Sequence, residues 1–317
     1  MKARKVIGLL VVLPVLFLFL GANPNTLVAK EKFEEKFERT ESLAKDGKVI
    51  LKNISGDIEV KSWDKSEVKI NALKVSKAST IEQAKENASR VEIEVIKVGK
   101  TLRIETKYPR ATFKSLNVSV NFQLMVPKNA SVKLKSVSGD LRVGEVGGQL
   151  DVSTVSGDIH VEKAHGGVEC ESVSGDLEVQ EAEGDTSLKS VSGDINLMKL
   201  KGSVKAECVS GDIKLLDVSE ATIVKSSTLS GDVVYKGQIN PNGRYSLKSH
   251  SGDVKIAIPA DSAFDLEAKT FSGDIESDFD ITISGKISKK EIRGTINGGG
   301  ADVNLKTFSG DIHLQKK

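Results

Sequence analysis

The sequence predicts an all-β fold, a parallel β-solenoid with coils of about 18–21 residues and a short helix in an N-terminal capping segment. The first ground is a tripeptide, Ser-Gly-Asp, that recurs ten times. Its bend pairs are Gly56 and Asp57, Gly139 and Asp140, Gly157 and Asp158, Gly175 and Asp176, Gly193 and Asp194, Gly211 and Asp212, Gly231 and Asp232, Gly252 and Asp253, Gly273 and Asp274, and Gly310 and Asp311. From Gly139 to Gly211 the interval is 18 residues each time; the later intervals are 20, 21, 21 and 37. A fixed period this short marks a solenoid, in which each coil buries its apolar side against its neighbours.

The second ground is that columns aligned on the glycine keep their character. Two residues after it stand Ile58, Leu141, Ile159, Leu177, Ile195, Ile213, Val233, Val254, Ile275 and Ile312. Five before it stand mostly apolar residues such as Leu134, Val152, Cys170 and Leu188, with Ser226 the exception. Polar residues flank them, as in Gln149-Leu150-Asp151-Val152-Ser153, so the period is two and the state is strand. Each coil therefore reads as a strand, a bend at Ser-Gly-Asp, a second strand and a return turn. Glycine supplies positive φ at such a bend, and Asp and Ser hydrogen-bond nearby amides. At about 4.8 Å per coil the rod would be on the order of 50 Å long.

A column of small hydroxyl residues lies three before the glycine, including Ser136, Thr154, Ser172, Ser190, Thr228, Ser249, Thr270 and Thr307. Cys208 and Asn53 take its place in two coils. The next residue is also apolar, most often valine, and two successive residues of a flat strand do not both point inward. A bulge or corner is therefore expected there. No histidine column runs beside the hydroxyls, so they read as a ladder satisfying backbone groups rather than as nucleophiles.

Along the chain, residues 1–29 read as an export signal or signal-anchor. Lys2, Arg4 and Lys5 precede an uncharged run from Val6 to Ala22. Cleavage after Ala22 or Ala29 and retention as an anchor both fit this run, which sits at the lower edge of spanning length. No cysteine stands directly after it, so a lipid-modified cysteine is not expected. Residues 30–47 read as a charged spacer or short helix, and residues 48–130 as a first coil, closing with Val68-Lys69-Ile70 and Leu73, plus an N-terminal cap. In the cap, Ser79-Thr80 before Glu82 and Gln83 is a helix-start pattern, with a helix over Ile81–Arg90. Strands follow at Val91–Ile96, Leu102–Thr106 and Val118–Leu124. Residues 131–317 form the solenoid proper, with Gly298-Gly299-Gly300 in the wide gap before the last bend.

Aromatic residues make up 4% of the chain, too few for a large globular core but enough where Val, Ile and Leu ladders form it. Net charge is +2, and removing the three basic residues of the leader leaves −1. Charge is mixed throughout, without the basic stripe that a nucleic-acid partner requires. Cys170 and Cys208 fall in different columns two coils apart, about 9.6 Å along the axis and beyond the reach of a disulfide.

The order of an exported leader, one early Ser-Gly-Asp coil, a helix-containing interruption, Val126-Pro127 and serial Val-Ser-Gly-Asp-Ile repeats resembles a known family. That family is the bacterial putative-adhesin domain of unknown function, related to Lia-type cell-envelope proteins. The resemblance covers about residues 45–315, with His250 and Phe271 standing where valine is usual. It implies a β-solenoid at the cell envelope and brings no catalytic residue, cofactor or ligand.

The leading expectation is a non-enzymatic exported protein of the cell envelope or surface, adhesin-like or scaffolding, with a glycan or protein partner in the envelope. Membrane contact is expected only through an uncleaved leader. One alternative is a polysaccharide-binding or carbohydrate-active β-helix, using Asp pairs with Tyr235, Tyr245 and Phe279 as sugar platforms. Others are a weak Ca²⁺-binding solenoid, for which Gly298-Gly299-Gly300-Ala301-Asp302 is the nearest motif, and an envelope-stress signalling component. No catalytic, cofactor-binding or metal-binding residue is assigned; the ten Gly-Asp pairs are assigned as structural turns.

Overall fold

The computed structural model describes residues 30–109, 116–283 and 288–317. The leader expected over residues 1–29 lies outside the described residues, among which no helix is long and apolar enough to cross a membrane. The described residues form a β-solenoid of two facing sheets with thirteen and fourteen strands, parallel through the serial coils. The coil strands pair in register, for example Ile159 with Leu177 and Val152 with Cys170. Like columns stack, and the apolar columns line a continuous core between the sheets.

The first elements are β1 (Glu31–Ser42), β2 (Lys48–Lys52), β3 (Ile58–Trp63), β4 (Glu67–Ala78), α1 (Ile81–Ser89), β5 (Glu92–Val98), β6 (Thr101–Lys107), β7 (Val118–Pro127), β8 (Ser131–Lys135) and β9 (Leu141–Val146). Helix α1 starts where its capping pattern places it, with Thr80 Oγ1 accepting from the Gln83 amide at 3.2 Å. Its small Ala84 and Ala88 are buried, and it packs on β4 and β1.

Two expectations about this end need correction. The charged stretch taken as a spacer or short helix is strand β1, paired antiparallel with β4 along its whole length. Its apolar residues Phe33 and Phe37 share one face with Glu35, whose carboxylate is 3.4 Å from the buried Lys74 ammonium. Residues 67–78 also do not close the first coil. As β4 they run antiparallel beside β7, which needs no coil-length return path.

Chain order and spatial order differ at both ends. The β2–β3 coil, first in the chain, is second in space, between β6–β7 and β8–β9. At the other end the last coil, Ala301–Lys306 with Ile312–Lys316, inserts between the coils bent at Gly252 and Gly273. The wide interval before Gly310 is thus an excursion. Glu291–Ile296 adds antiparallel outside Phe264–Lys269, and the chain then crosses the end of that strand to reach its inserted place. Gly298, Gly299 and Gly300 turn the crossing with φ of +89°, +81° and +151°. The Gly300 amide donates to Asp265 Oδ2 at 3.4 Å, and the Asp302 carboxylate lies 3.6 Å from Arg244.

Because the coil is the packing unit, deleting Asp158 to Gly175 removes one period in register and should leave a cooperatively unfolding, shorter rod. Deleting Asp158 to Gly166 shifts every later column and should abolish the cooperative transition. Thermal unfolding of the two variants checks this; similar behaviour would contradict the coil as folding unit.

Candidate functional site

Each Ser-Gly-Asp bend is built on a glycine that the geometry demands. Gly175 has φ +138°, and a Cβ on it would stand 2.2 Å from the carbonyl oxygen of Gly157 in the neighbouring coil. The same approach repeats up the rod, with Gly310 against Gly252 and Gly273 against Gly310. Positive φ and close packing act together here.

The close approach lets each aspartate reach the next coil. The Asp140 amide donates to Asp57 Oδ1 at 3.0 Å, and the contact repeats at 2.8–3.2 Å through Asp158, Asp176, Asp194, Asp212, Asp232, Asp253, Asp311 and Asp274. The ladder has distinct ends. Asn121 accepts the Asp57 amide at 3.0 Å in the coil beyond. At the other end, Lys290 Nζ lies 3.4 Å from Asp274 Oδ1 and donates to the Gly273 carbonyl. Carboxylates about 4.8 Å apart repel by about 3.5 kcal/mol at an effective dielectric of 20. The amides offset this, joined by Arg142 at Asp140 and Lys255 at Asp253. The Asp311 amide holds the Asp253 carboxyl below its ordinary value, against partial burial and with help from Lys255.

The hydroxyl column points inward and completes the spine. Thr228, Ser249, Thr307 and Thr270 donate to the carbonyls of Gly211, Gly231, Gly252 and Gly310 at 2.8–3.1 Å. Cys208 Sγ does the same to Gly193 at 3.3 Å. Both cysteines are free and buried, and burial pushes the Cys170 thiol up.

The bulge expected beside this column does not occur. The strand keeps its alternation through Val155, so that Thr154 is buried and Val155 faces out, and breaks it at Ser156, which is exposed too. The valine column is therefore a surface feature. Val137, Val155, Val173, Val191, Val209 and Leu229 are 46–54% exposed. In spatial order the stripe continues through His250, Phe308 and Phe271, whose rings stack at 4.9 Å and 4.7 Å with interplanar angles of 12° and 5°. Nine rungs make it about 38 Å long. A shallow groove of about 390 Å³ runs along its middle, between Glu171, Lys189 and Glu207 on one side and Val173, Val191 and Val209 on the other. Lys248, Lys306 and Lys269 stand in register beside the aromatic end. The alternation that turns the hydroxyl column three before the glycine inward turns the valine column beside it outward.

The other sequence candidates are dispersed or buried. Tyr235, Tyr245 and Phe279, expected as sugar platforms, lie in the core; Tyr235 meets Tyr245 edge-on at 5.7 Å and Phe279 meets Phe264 at 5.8 Å. His160 pairs with Glu178 and His313 with Glu276, both at 3.1 Å. His165 sits between Glu183 at 2.8 Å and Glu145 at 3.2 Å, and the first of these carboxylates is the main cause that raises its pKa. Among the described residues no group of three or more His, Cys, Asp or Glu is placed to hold a metal ion.

The spine sets two expectations. Gly175→Ala should cost at least about 2 kcal/mol, combining strained φ with overlap, as read by urea unfolding; a variant as stable as the parent would contradict the close approach. Asp176→Asn keeps the acceptor, as Asn121 does naturally, and should cost less than about 1 kcal/mol, whereas Asp176→Ala orphans the Asp194 amide and should cost about 1 kcal/mol or more. Asp253, with its depressed folded pKa, contributes stability above the unfolded value of about 3.9, lost as pH falls through the folded value. A stabilised Asp176→Asn protein would show that repulsion outweighs the amide bonds.

Comparison with curated proteins found no match. Among solved structures, a putative adhesin from Bacteroides fragilis is 12% identical, with 88% of this chain and 97% of that chain covered and a TM-score of 0.35. A putative adhesin from Parabacteroides distasonis is 11% identical over 88% and 97%, with a TM-score of 0.37. A putative cell adhesion protein from Clostridium sporogenes is 12% identical over 89% and 100%, with a TM-score of 0.20. These are weak likenesses, and the family assignment stands on the sequence model alone. That model matches residues 38–187 and 227–315, well over half of the chain, and the protein belongs to the Toastrack DUF4097 family.

Proposed function

We propose that the protein is an exported, non-enzymatic component of the cell envelope, adhesin-like in kind, whose contact face is the apolar stripe from Val137 to Phe271. The observation that carries this is the stripe itself. Soluble monomers rarely expose a continuous apolar ladder of this length, and such patches mark contact surfaces. The basic, uncharged-apolar order of the first 22 residues supports export. A long, narrow, regular face suits an extended glycan or protein partner of the envelope lying along the rod axis. The Asp ladder belongs to the spine of this rod: nine of the ten Oδ1 atoms accept an amide and that of Asp274 faces Lys290, so the column needs no cation to resolve its charge conflict.

The test is a pull-down of the full chain against cell-wall material, purified envelope glycans and whole cells. It is paired with the triple variant Val173→Thr, Val191→Thr and Val209→Thr. Threonine keeps β-branched shape at these exposed positions while removing apolar surface, so the melting temperature should hold within a few degrees. Capture should fall about tenfold or more if the stripe is the contact face. Undiminished capture by a folded triple variant would remove the stripe from the function.

A further inference from the structure

We propose that the open edge of β1 is a docking site for a second copy of this chain, joining two rods end to end through antiparallel pairing of β1 with β1. Among the described residues the strand is the outermost member of its sheet, and its second edge is unpaired. Helix α1 covers the inner face of β1 and β4 and leaves that edge open. Charge on an edge strand commonly keeps other strands away. Here the signs alternate in a way that favours self-pairing instead. Residues 31–34 and 35–38 are a tandem repeat of Glu-Lys-Phe-Glu, followed by Arg39.

An antiparallel pair centred on Glu35 sets Lys32 opposite Glu38, and Glu34 opposite Lys36, on the outer face. On the inner face it sets Glu31 opposite Arg39 and Phe33 opposite Phe37. By two-fold symmetry each of these contacts occurs twice, as an isologous interface requires. The one like-charge meeting is Glu35 with itself, and each Glu35 already has the buried Lys74 ammonium at 3.4 Å. Moving the register by two residues either way brings like charges together: Lys32 meets Lys36 one way, and Lys36 meets itself the other. The tandem repeat allows a shift of four, which exchanges the partner of Lys36 from Glu34 to Glu38. Cross-strand opposite-charge and aromatic pairs each contribute modestly, and the backbone hydrogen bonds of β-augmentation supply the rest.

The experiment is sedimentation equilibrium of the full chain in a density-matched detergent at tens of micromolar, roughly, where interfaces of this kind are populated. The parent should sediment at twice the chain mass. Lys36→Glu makes two like-charge contacts per dimer in either register and should raise the dimer dissociation constant about tenfold or more. Adding Glu34→Lys to Lys36→Glu restores opposite charges in the register centred on Glu35; adding Glu38→Lys restores them in the shifted one. Rescue by either double variant supports the proposal and identifies the register. A monomeric parent, a dimer unaffected by Lys36→Glu, or rescue by neither double variant would overturn it. A dimer indifferent to these charges would be held by some other segment.

Discussion

The structure depends on how closely two coils approach at the bend. A Cβ on any glycine of the ten bends would lie 1.9–2.4 Å from its neighbour's carbonyl oxygen, so the spacing there is set by backbone against backbone. At that distance an aspartate carboxylate reaches the amide of the next coil, and a Ser or Thr hydroxyl reaches the carbonyl of the preceding glycine. From Ser190 onward each coil thus fixes its neighbour through three contacts that share one geometry, whereas Ser136 and Thr154 turn to carbonyls of their own coil and the Ser172 hydroxyl has no partner. The consequence reaches the surface: residues two positions before the glycine are delivered in strict register, and a ladder of outward valines becomes a continuous stripe.

The ends answer a different problem. A terminal coil of a solenoid has one neighbour and frays first, because stability is a sum of coil and interface contributions. In this chain the first and last coils are each held between two others. Fraying from the C-terminal end must therefore break two ladder interfaces, not one, whereas at the N-terminal end β1 is held by β4 alone. The outermost coil positions go to β6–β7 at one end and to the coil bent at Gly273 at the other. Beyond them lie antiparallel additions, β4, β1 and β5 at one end and Glu291–Ile296 at the other. Lys290 and Asn121 close the two ends of the Asp ladder, so the spine does not finish on an unpaired bend.

Much of this was legible in the residues. The spacing of Ser-Gly-Asp gave the coils, the period-two columns gave the core, and Thr80 with Gln83 gave the helix start. Spatial order was not legible, because a wide interval before Gly310 looks the same whether the chain coils widely or leaves and returns. The strand β1 was hidden by charge: Phe33 and Phe37 are four apart, which suits a helix as well as a strand, and only pairing with β4 decides between them. The contact stripe was in view as a column, but apolar character alone does not say which way a residue faces. The hydroxyls beside it carried that information, since a buried Thr154 leaves Val155 no inward direction.

What the stripe can do energetically follows from its half-exposure. Each valine is already flanked above and below by its ladder neighbours, so a partner removes only the remaining half of its apolar surface. That is worth about 0.7 kcal/mol per position, or roughly 4 kcal/mol over the six aliphatic rungs. Association costs at least about that much in lost motional freedom, so the aliphatic run by itself gives little net binding. The aromatic end alters the balance. Phe271, at 70% exposure, offers far more unburied apolar area than any valine, and the lysines beside it add a polar rim. One end of the stripe is therefore suited to anchor a partner and the rest to align it along the rod. A face of this kind gains strength from repetition more than from any single contact. Two rods joined end to end would carry two such faces, and simultaneous engagement of both turns a weak contact into a firm one.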